Sequence, residues 1–291
     1  MIDLHCHLVP AIDDGARDLA TSLAMAEMFV ADGVEIVACT PHILPGVYPN
    51  TGPQIRAAVA ELQAAIEKAQ MPLRLTTGAD VHLAPGLVEG LRSGAILSLA
   101  DSRYILIEPP HHILPARFEE TLFELMIAGY VPIITHPERL SWARANYAVL
   151  QRLANQGVWM QITAGSLTGK FGRTPLYLAE RMLDEGLVHI IASDAHDLKA
   201  RRPDLAEGAA LATKRVGDGE VRHLVSVRPR GILENAPPEE LLTARQSAIS
   251  GGIDEHRATG AVVGDGDGAY GASNVPSGIR GFGRRLLERF R

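Results

Sequence analysis

His5 and His7 stand two residues apart in the opening run MIDLHCHLVP, and the same spacing recurs at Asp194 and His196 in the run SDAH. In an extended segment residues i and i+2 point the same way, so each pair aims two donor groups at one point. Between the two pairs lie Asp13-Asp14-Gly15, Thr40-Pro41-His42, Gly78-Ala79-Asp80, Glu108 and Thr135-His136-Pro137-Glu138-Arg139. Imidazole and carboxylate together suit Zn, Fe or Mn. The candidate ligands are His5, His7, Asp14, His42, Asp80, Glu108, His136, Asp194 and His196. Nine exceed what one ion needs, whereas two or three divalent ions sharing carboxylate bridges would use them. Taken singly, each has an ordinary explanation. An isolated histidine is usually hydrogen-bonded in a core, an acid is usually solvated, and Asp-Asp-Gly is turn chemistry.

What sets these residues apart is where they fall relative to the predicted elements. Short apolar, partly β-branched runs at 1–4, 34–39, 73–77, 103–108, 131–135, 158–163 and 188–192 predict strands. Apolar stripes of period 3.6 predict helices near 18–32, 53–69, 116–128, 142–156 and 174–185. Gly33, Gly129, Gly157 and Gly186 stand where a helix would end just before the next strand. Such alternation implies an α/β fold with a parallel sheet. Seven strands with short connections predict a closed or nearly closed barrel, and no G-x-G-x-x-G follows the first strand to favour a doubly wound sheet. In a parallel barrel the C-terminal strand ends form the rim that carries the active site. The nine candidates fall at six of the seven strand ends. Of the other histidines, His82, His189, His223 and His256 read as structural or solvated. His111 and His112 lie on a rim loop and are weighed against a ligand role. Cys6 points away from its histidine neighbours by alternation, and Cys39 lies inside a strand; both read as small buried hydrophobes.

The bulk properties fit one enzyme domain. A chain of 291 residues accommodates a single α/β barrel. A net charge of −6 argues against a surface built for nucleic acid. Two cysteines make no disulfide framework, no signal peptide is seen at the N-terminus, and no apolar run is long enough to span a bilayer, so a cytoplasmic protein is expected. Residues 1–245 are assigned to the barrel. Ten of the last 46 residues are glycine and only three are aromatic, so residues 246–291 are expected to form a flexible tail. That tail ends in the basic run RGFGRRLLERFR, where Phe282, Leu286 and Phe290 share a helical face. It is a candidate for peripheral contact with an anionic membrane or a kinase.

Charge points to the substrate. Asp14, Asp80, Glu108 and Asp194 carry −4, and three divalent ions would carry +6, which leaves a positive site in an acidic protein. A dianionic phosphate would be drawn there. Multi-metal sites activate water and clamp both the attacking and the leaving oxygens. Arg139, three residues after His136, is placed to fork onto two phosphate oxygens.

Taken in order, H-x-H, T-P-H, G-A-D, I-E, T-H-P-E-R and S-D-A-H resemble the polymerase-and-histidinol-phosphatase (PHP) superfamily. The runs MIDLHCHLVPAIDDG, DSRYILIE, VPIITHPER and LVHIIASDAHDLKARRP resemble its bacterial tyrosine-protein phosphatases of capsule and exopolysaccharide operons over residues 1–235. The resemblance implies a distorted seven-stranded, TIM-like (β/α)7 barrel with a trinuclear site. His5, His7, Asp80 and Asp194 would hold one ion. Asp80 would bridge to a second ion on Glu108 and His136, and Asp14, His42 and His196 would hold the third. Manganese is the first expectation, with iron, cobalt or zinc as alternatives. His136, Arg139 and Asp194 would be catalytic, and Arg139 with Arg201 or Arg202 would bind the phosphate. The implied substrate is a phosphotyrosine protein, an autophosphorylating tyrosine kinase of polysaccharide export. The chain departs from the family at Asp80, where Glu is usual, and in the loop PPHH after Glu108. A small-molecule phosphatase of the histidinol-phosphate type is the alternative. A nuclease would need a basic, aromatic-interleaved stripe, and an amidohydrolase would usually add a lysine at a strand end; neither is found.

Overall fold

The seven apolar runs become nine short strands, because two runs are continued by a second strand after a break. In the computed structural model, which describes residues 1–243 and Gln246, the strands are β1 (Ile2–Cys6), β2 (Ile36–Cys39), β3 (His42–Ile43), β4 (Arg74–Thr77), β5 (Asp80–His82), β6 (Tyr104–Glu108), β7 (Val131–Thr135), β8 (Trp159–Thr163) and β9 (Ile190–Ala192). Pro41, with no N–H to give a ladder, lies between β2 and β3. Gly78-Ala79 lies between β4 and β5.

Every pairing between these strands is parallel. One sheet has the order β1-β2-β4, and the other β3-β5-β6-β7-β8-β9. β1, β6, β7 and β8 are buried along their whole length, which is why they read as near-continuous apolar runs. The parallel α/β class expected from the sequence is therefore present. The register of β2 against β4 carries on into β3 against β5, with Gly78 N donating to Cys39 O at 3.0 Å and Asp80 N to Pro41 O at 3.2 Å across the break. The sheets share chain at β2–β3 and at β4–β5. At the far edge a parallel bridge pairs Cys6 with Ala195, and Asp194 N donates to His5 O at 2.9 Å.

The five expected helices form at Leu19–Ala31, Gly52–Lys68, Phe118–Ile127, Tyr147–Asn155 and Arg173–Asp184. Asp18 caps the first by accepting from Thr21 N at 2.8 Å. The four glycines expected at helix ends all take positive φ, between +75° and +98°. A helix at Leu205–Arg222, interrupted at Gly217, was not anticipated. Three glycines dilute its propensity, and packing decides instead: a Cβ on Gly208 would come 2.6 Å from Ala164 Cβ, so only glycine lets this helix approach that closely.

The opposite end of the strands is closed by apolar packing. Ile2, Tyr104, Trp159 and Ile190, each the first residue of its strand, cluster with Ile232 and Leu241 from the C-terminal segment. Arg228, fully buried, ties that segment down by donating to His189 O at 2.6 Å and Leu241 O at 3.1 Å. Gln246, the first residue assigned to the tail, is itself buried and bonded to Arg228 and Val188 O. The rest of the expected tail, with Phe282, Leu286 and Phe290, lies outside the described residues, as does His256. Among the described residues no helix is long and apolar enough to cross a membrane.

Candidate metal centre

Seven histidines and five acids meet at the C-terminal ends of the strands. His5 lies in β1 and His7 just beyond it; His42 opens β3, Asp80 opens β5, Glu108 closes β6 and His136 follows β7. Asp194 and His196 follow β9, and Asp14 comes from the loop after β1. The ligand atoms form tight groups: His7, Asp14, His42 and His196; His5, His7 and Asp80; His5, His136 and Asp194. All nine sequence candidates are thus brought together, with Glu108 grouped with His136 and with His42.

The spacing fits shared ions. Ligand atoms about 2.0–2.2 Å from one ion stand roughly 3–3.5 Å apart. His5 Nε2 lies 3.2 Å from His7 Nε2, 3.3 Å from Asp194 Oδ1 and 3.4 Å from Asp80 Oδ2. Asp14 Oδ1 lies 3.4 Å from both His42 Nε2 and His196 Nε2. Glu108 Oε1 lies 3.5 Å from His136 Nε2. Both oxygens of Asp80, Asp194 Oδ1, Glu108 Oε2 and His196 Nε2 are buried without a hydrogen-bond partner. Unpaired carboxylates at that depth are costly unless something of opposite charge lies between them.

The rings are oriented from behind. His5 Nδ1 donates to Gln161 Oε1 at 2.8 Å, His7 Nδ1 to Asp13 Oδ2 at 2.7 Å and His196 Nδ1 to Asp194 O at 2.9 Å. Each acceptor oxygen holds the ring proton on Nδ1 and leaves the Nε2 lone pair free to face the cluster, which is how metal-binding imidazoles are commonly held. Gly15 completes the turn that carries Asp13 and Asp14. A Cβ there would stand 2.2 Å from His7 O, so the Asp-Asp-Gly turn closes against His7 only with glycine.

The electrostatics show how tightly charge is packed. Burial opposes a charge on His7, but the Asp13 and Asp194 carboxylates outweigh it and raise its pKa to about 10, so a cation binding at Nε2 would release that proton. Burial and the neighbouring His7 lower His196 to about 4. Burial and Arg139 push His136 well below the usual imidazole range. Burial would raise Asp194, but His5, Arg201, His7 and Arg139 hold it far below the ordinary carboxylate range. Two backbones are strained here: His136 and Asp194 sit at φ +36° and +53°, a region that costs a non-glycine residue roughly 1–2 kcal/mol.

Two arginines converge on one oxygen. Arg139 Nη1 and Arg201 Nη2 both donate to Asp194 Oδ2, the latter at 2.6 Å. The Arg139 guanidinium also lies 4.2 Å from the centre of the Phe171 ring. Arg202 is not brought in; it faces Glu207 at 3.8 Å with half its side chain exposed.

Four residues escaped sequence reasoning. Asp13 and Gln161 were not singled out, because nothing in a linear pattern marks the partner behind a ring. His82 stands 2.5 Å from Glu108 Oε2, and His111 Nε2 lies 3.2 Å from Glu108 Oε1. Asp80-Val81-His82 has the same i, i+2 spacing as His5 and His7, so the signal for His82 was present. His189 is structural as expected: it stacks on Trp159 and accepts from Met160 N at 3.1 Å.

The family described as "Capsular polysaccharide synthesis, CpsB/CapC" matches residues 1–234. The chain belongs to the CpsB/CapC family. Among curated relatives of the chain, tyrosine-protein phosphatase YwqE of Bacillus subtilis (strain 168) is 36% identical over 235 residues, covering 81% of this chain and 92% of that one. The putative tyrosine-protein phosphatase CapC of Staphylococcus aureus is 34% identical over 201 residues, covering 69% and 79%. A solved structure from work on YwqE of Bacillus subtilis and CpsB of Streptococcus pneumoniae, described there as unique metal-dependent tyrosine phosphatases, superposes with a TM-score of 0.79. It is 35% identical and covers 81% of this chain and 96% of its own. The match stops short of the last 57 residues of this CpsB/CapC chain.

Proposed function

We propose that this CpsB/CapC chain is a metal-dependent phosphatase that removes phosphate from phosphotyrosine on a protein. The substrate class is a tyrosine kinase of capsular or extracellular polysaccharide synthesis, and the compartment is the cytosol. One observation carries the reading: the Nε2 atoms of His5 and His7 both face the buried, unpaired Oδ1 of Asp194, and two arginines meet at the other oxygen of the same carboxylate. The names of the relatives support a phosphotyrosine protein as substrate, and the family description supports the link to capsular polysaccharide synthesis.

His5, His7, Asp14, His42, Asp80, Glu108, His136, Asp194 and His196 would hold two or three divalent ions, manganese first, with iron, cobalt or zinc as alternatives. Ions bound there supply Lewis acidity and a water made acidic enough to attack at neutral pH. Asp13, Gln161 and the Asp194 carbonyl keep the rings turned. Arg139 and Arg201 exchange Asp194 for the equatorial oxygens of the phosphate, where planar forks fit best. The leaving group is a phenolate with a pKa of ~10, which needs less protonation than an alkoxide. Burial raises the thiols of Cys6 and Cys39, so neither is poised as a nucleophile. The fold that accompanies this reading is a distorted (β/α)7 barrel, supported by the Cys6–Ala195 bridge and by the continuity of β2 into β3.

The test is phosphate release after chelation and add-back of Mn, Fe, Co or Zn, with a phosphotyrosine peptide and histidinol phosphate side by side. Metal-restored activity on the peptide is expected. Activity on histidinol phosphate alone would move the protein to the small-molecule class.

A further inference from the structure

At Glu108 the histidines outnumber what the resemblance implies. Its two oxygens face different imidazole pairs. Oε1 lies 3.2 Å from His111 Nε2 and 3.5 Å from His136 Nε2. Oε2 lies 2.5 Å from His82 Nε2 and 3.3 Å from His42 Nδ1, yet it is buried with no hydrogen-bond partner. His111 Nε2 is within hydrogen-bond distance of Oε1, whereas the His82 approach to Oε2 lacks hydrogen-bond geometry. Two further ligand groups result, His42–His82–Glu108 and Glu108–His111–His136, each with its donor atoms within 4.8 Å of one another.

Neither new imidazole is a chance surface side chain. His82 is the parallel register partner of Glu108, and the Leu83 N–H donates to Glu108 O at 3.1 Å. The loop that carries His111 is pinned: Ser141 donates to His111 O from its backbone at 2.9 Å and its hydroxyl at 3.0 Å, and Trp142 Nε1 donates to Pro110 O at 2.9 Å.

We propose that His82 and His111 are metal ligands at the Glu108 end of the centre, an inference that rests on the reading of the nine residues as a metal site. Asp80 is one methylene shorter than the glutamate usual at its position, so its reach toward an ion at Glu108 and His136 is reduced. His82 and His111 bring donor atoms to that ion from the neighbouring strand and loop. Two added neutral nitrogens make this end of the site better suited to Co, Zn or Fe than to Mn.

The experiment strips the full-length protein with chelator and titrates it with Co²⁺ alone, following bound metal by elemental analysis and the ligand field by visible absorption. Wild type is compared with His82→Ala, His111→Ala, His82→Gln and His111→Gln, each checked for a folded circular dichroism spectrum. Each variant is expected to bind one ion fewer, or to bind its last ion more weakly than the roughly 10–100-fold loss typical of a supporting residue, with an altered spectrum. Gln keeps an amide N–H for Glu108 but loses the imidazole donor. Gln variants that bind Co²⁺ as wild type does would make the histidines positioning residues and overturn the proposal. Unchanged stoichiometry and spectrum in the Ala variants would overturn it too. Wild type that takes up no Co²⁺ would overturn the underlying metal-centre reading, an outcome distinct from failure of the variants alone.

Discussion

Asp13 Oδ2 accepts the Nδ1–H of His7 at 2.7 Å and also takes the backbone N–H of His42 at 3.1 Å. One carboxylate behind the site therefore positions ligands from two strands, and its other oxygen is held by Gly15 N at 3.0 Å. Asp13→Asn should leave the fold intact and lower metal affinity on the order of 10–100-fold, the loss typical of an outer partner of a ligating imidazole. Calorimetric titration of the chelated protein with Mn²⁺ measures it. Wild-type affinity in the variant would show that His7 needs no such support.

Gly15→Ala is a sterically sharper version of the same test. The added Cβ would meet His7 O at 2.2 Å and His7 Cβ at 2.4 Å, just beyond β1, where His7 N is tied to Ala195 O at 2.9 Å. Overpacking of this kind costs about 1–3 kcal/mol. A lower urea midpoint together with lost metal binding is the expected pair of results.

Asp194→Ala should abolish turnover while circular dichroism stays native. This side chain faces His5 and His7 and takes both Arg139 and Arg201. Full activity in that variant would rule out the mechanism proposed above.

The arginines separate cleanly. Arg139→Lys and Arg201→Lys keep a charge but lose the planar fork, and should lower kcat/KM by about 10–100-fold, that is ~1.4–2.7 kcal/mol of transition-state stabilisation. Arg202→Lys, whose parent side chain faces Glu207, should leave kcat/KM unchanged. Steady-state kinetics on a phosphotyrosine peptide decides between them. Equal losses at Arg201 and Arg202 would contradict the assignment of the second clamp to Arg201.

His189 predicts a pH effect on stability. Burial, reinforced by Arg228, holds its folded pKa well below 6.5. Above pH 7 the ring is neutral in both folded and unfolded chains and contributes no slope. Below about 6.5 the unfolded chain takes up a proton that the folded one refuses, so stability falls with pH by up to about 1.36 kcal/mol per unit. His189→Asn removes that one proton. Urea midpoints at pH 5 and pH 7.5 should therefore differ less in the variant than in wild type, and an equal difference would mean that His189 titrates normally in the fold.

Sequence alone determined most of the strand and helix alternation, the helix at Leu205–Arg222 excepted, and placed the nine candidates at or just after the predicted strands. Those signals are local: His5 and His7 share a direction because a strand repeats every two residues, and the fully buried strands show as unbroken apolar runs. Helix ends at Gly33, Gly129, Gly157 and Gly186 were legible for the same reason, since each needs only its own positive φ. What only the tertiary structure decided is which distant side chains touch. Gln161 lies 156 residues from His5, and its role behind the ring exists only because β8 and β1 present them to each other. The choice of Arg201 over Arg202 depends on how the loop after His196 turns back, where His196 N donates to Arg201 O at 2.7 Å. The pairing of His82 with Glu108 depends on the register of β5 against β6. Local chemistry sets what each residue offers, and only packing between elements far apart in sequence sets what it meets.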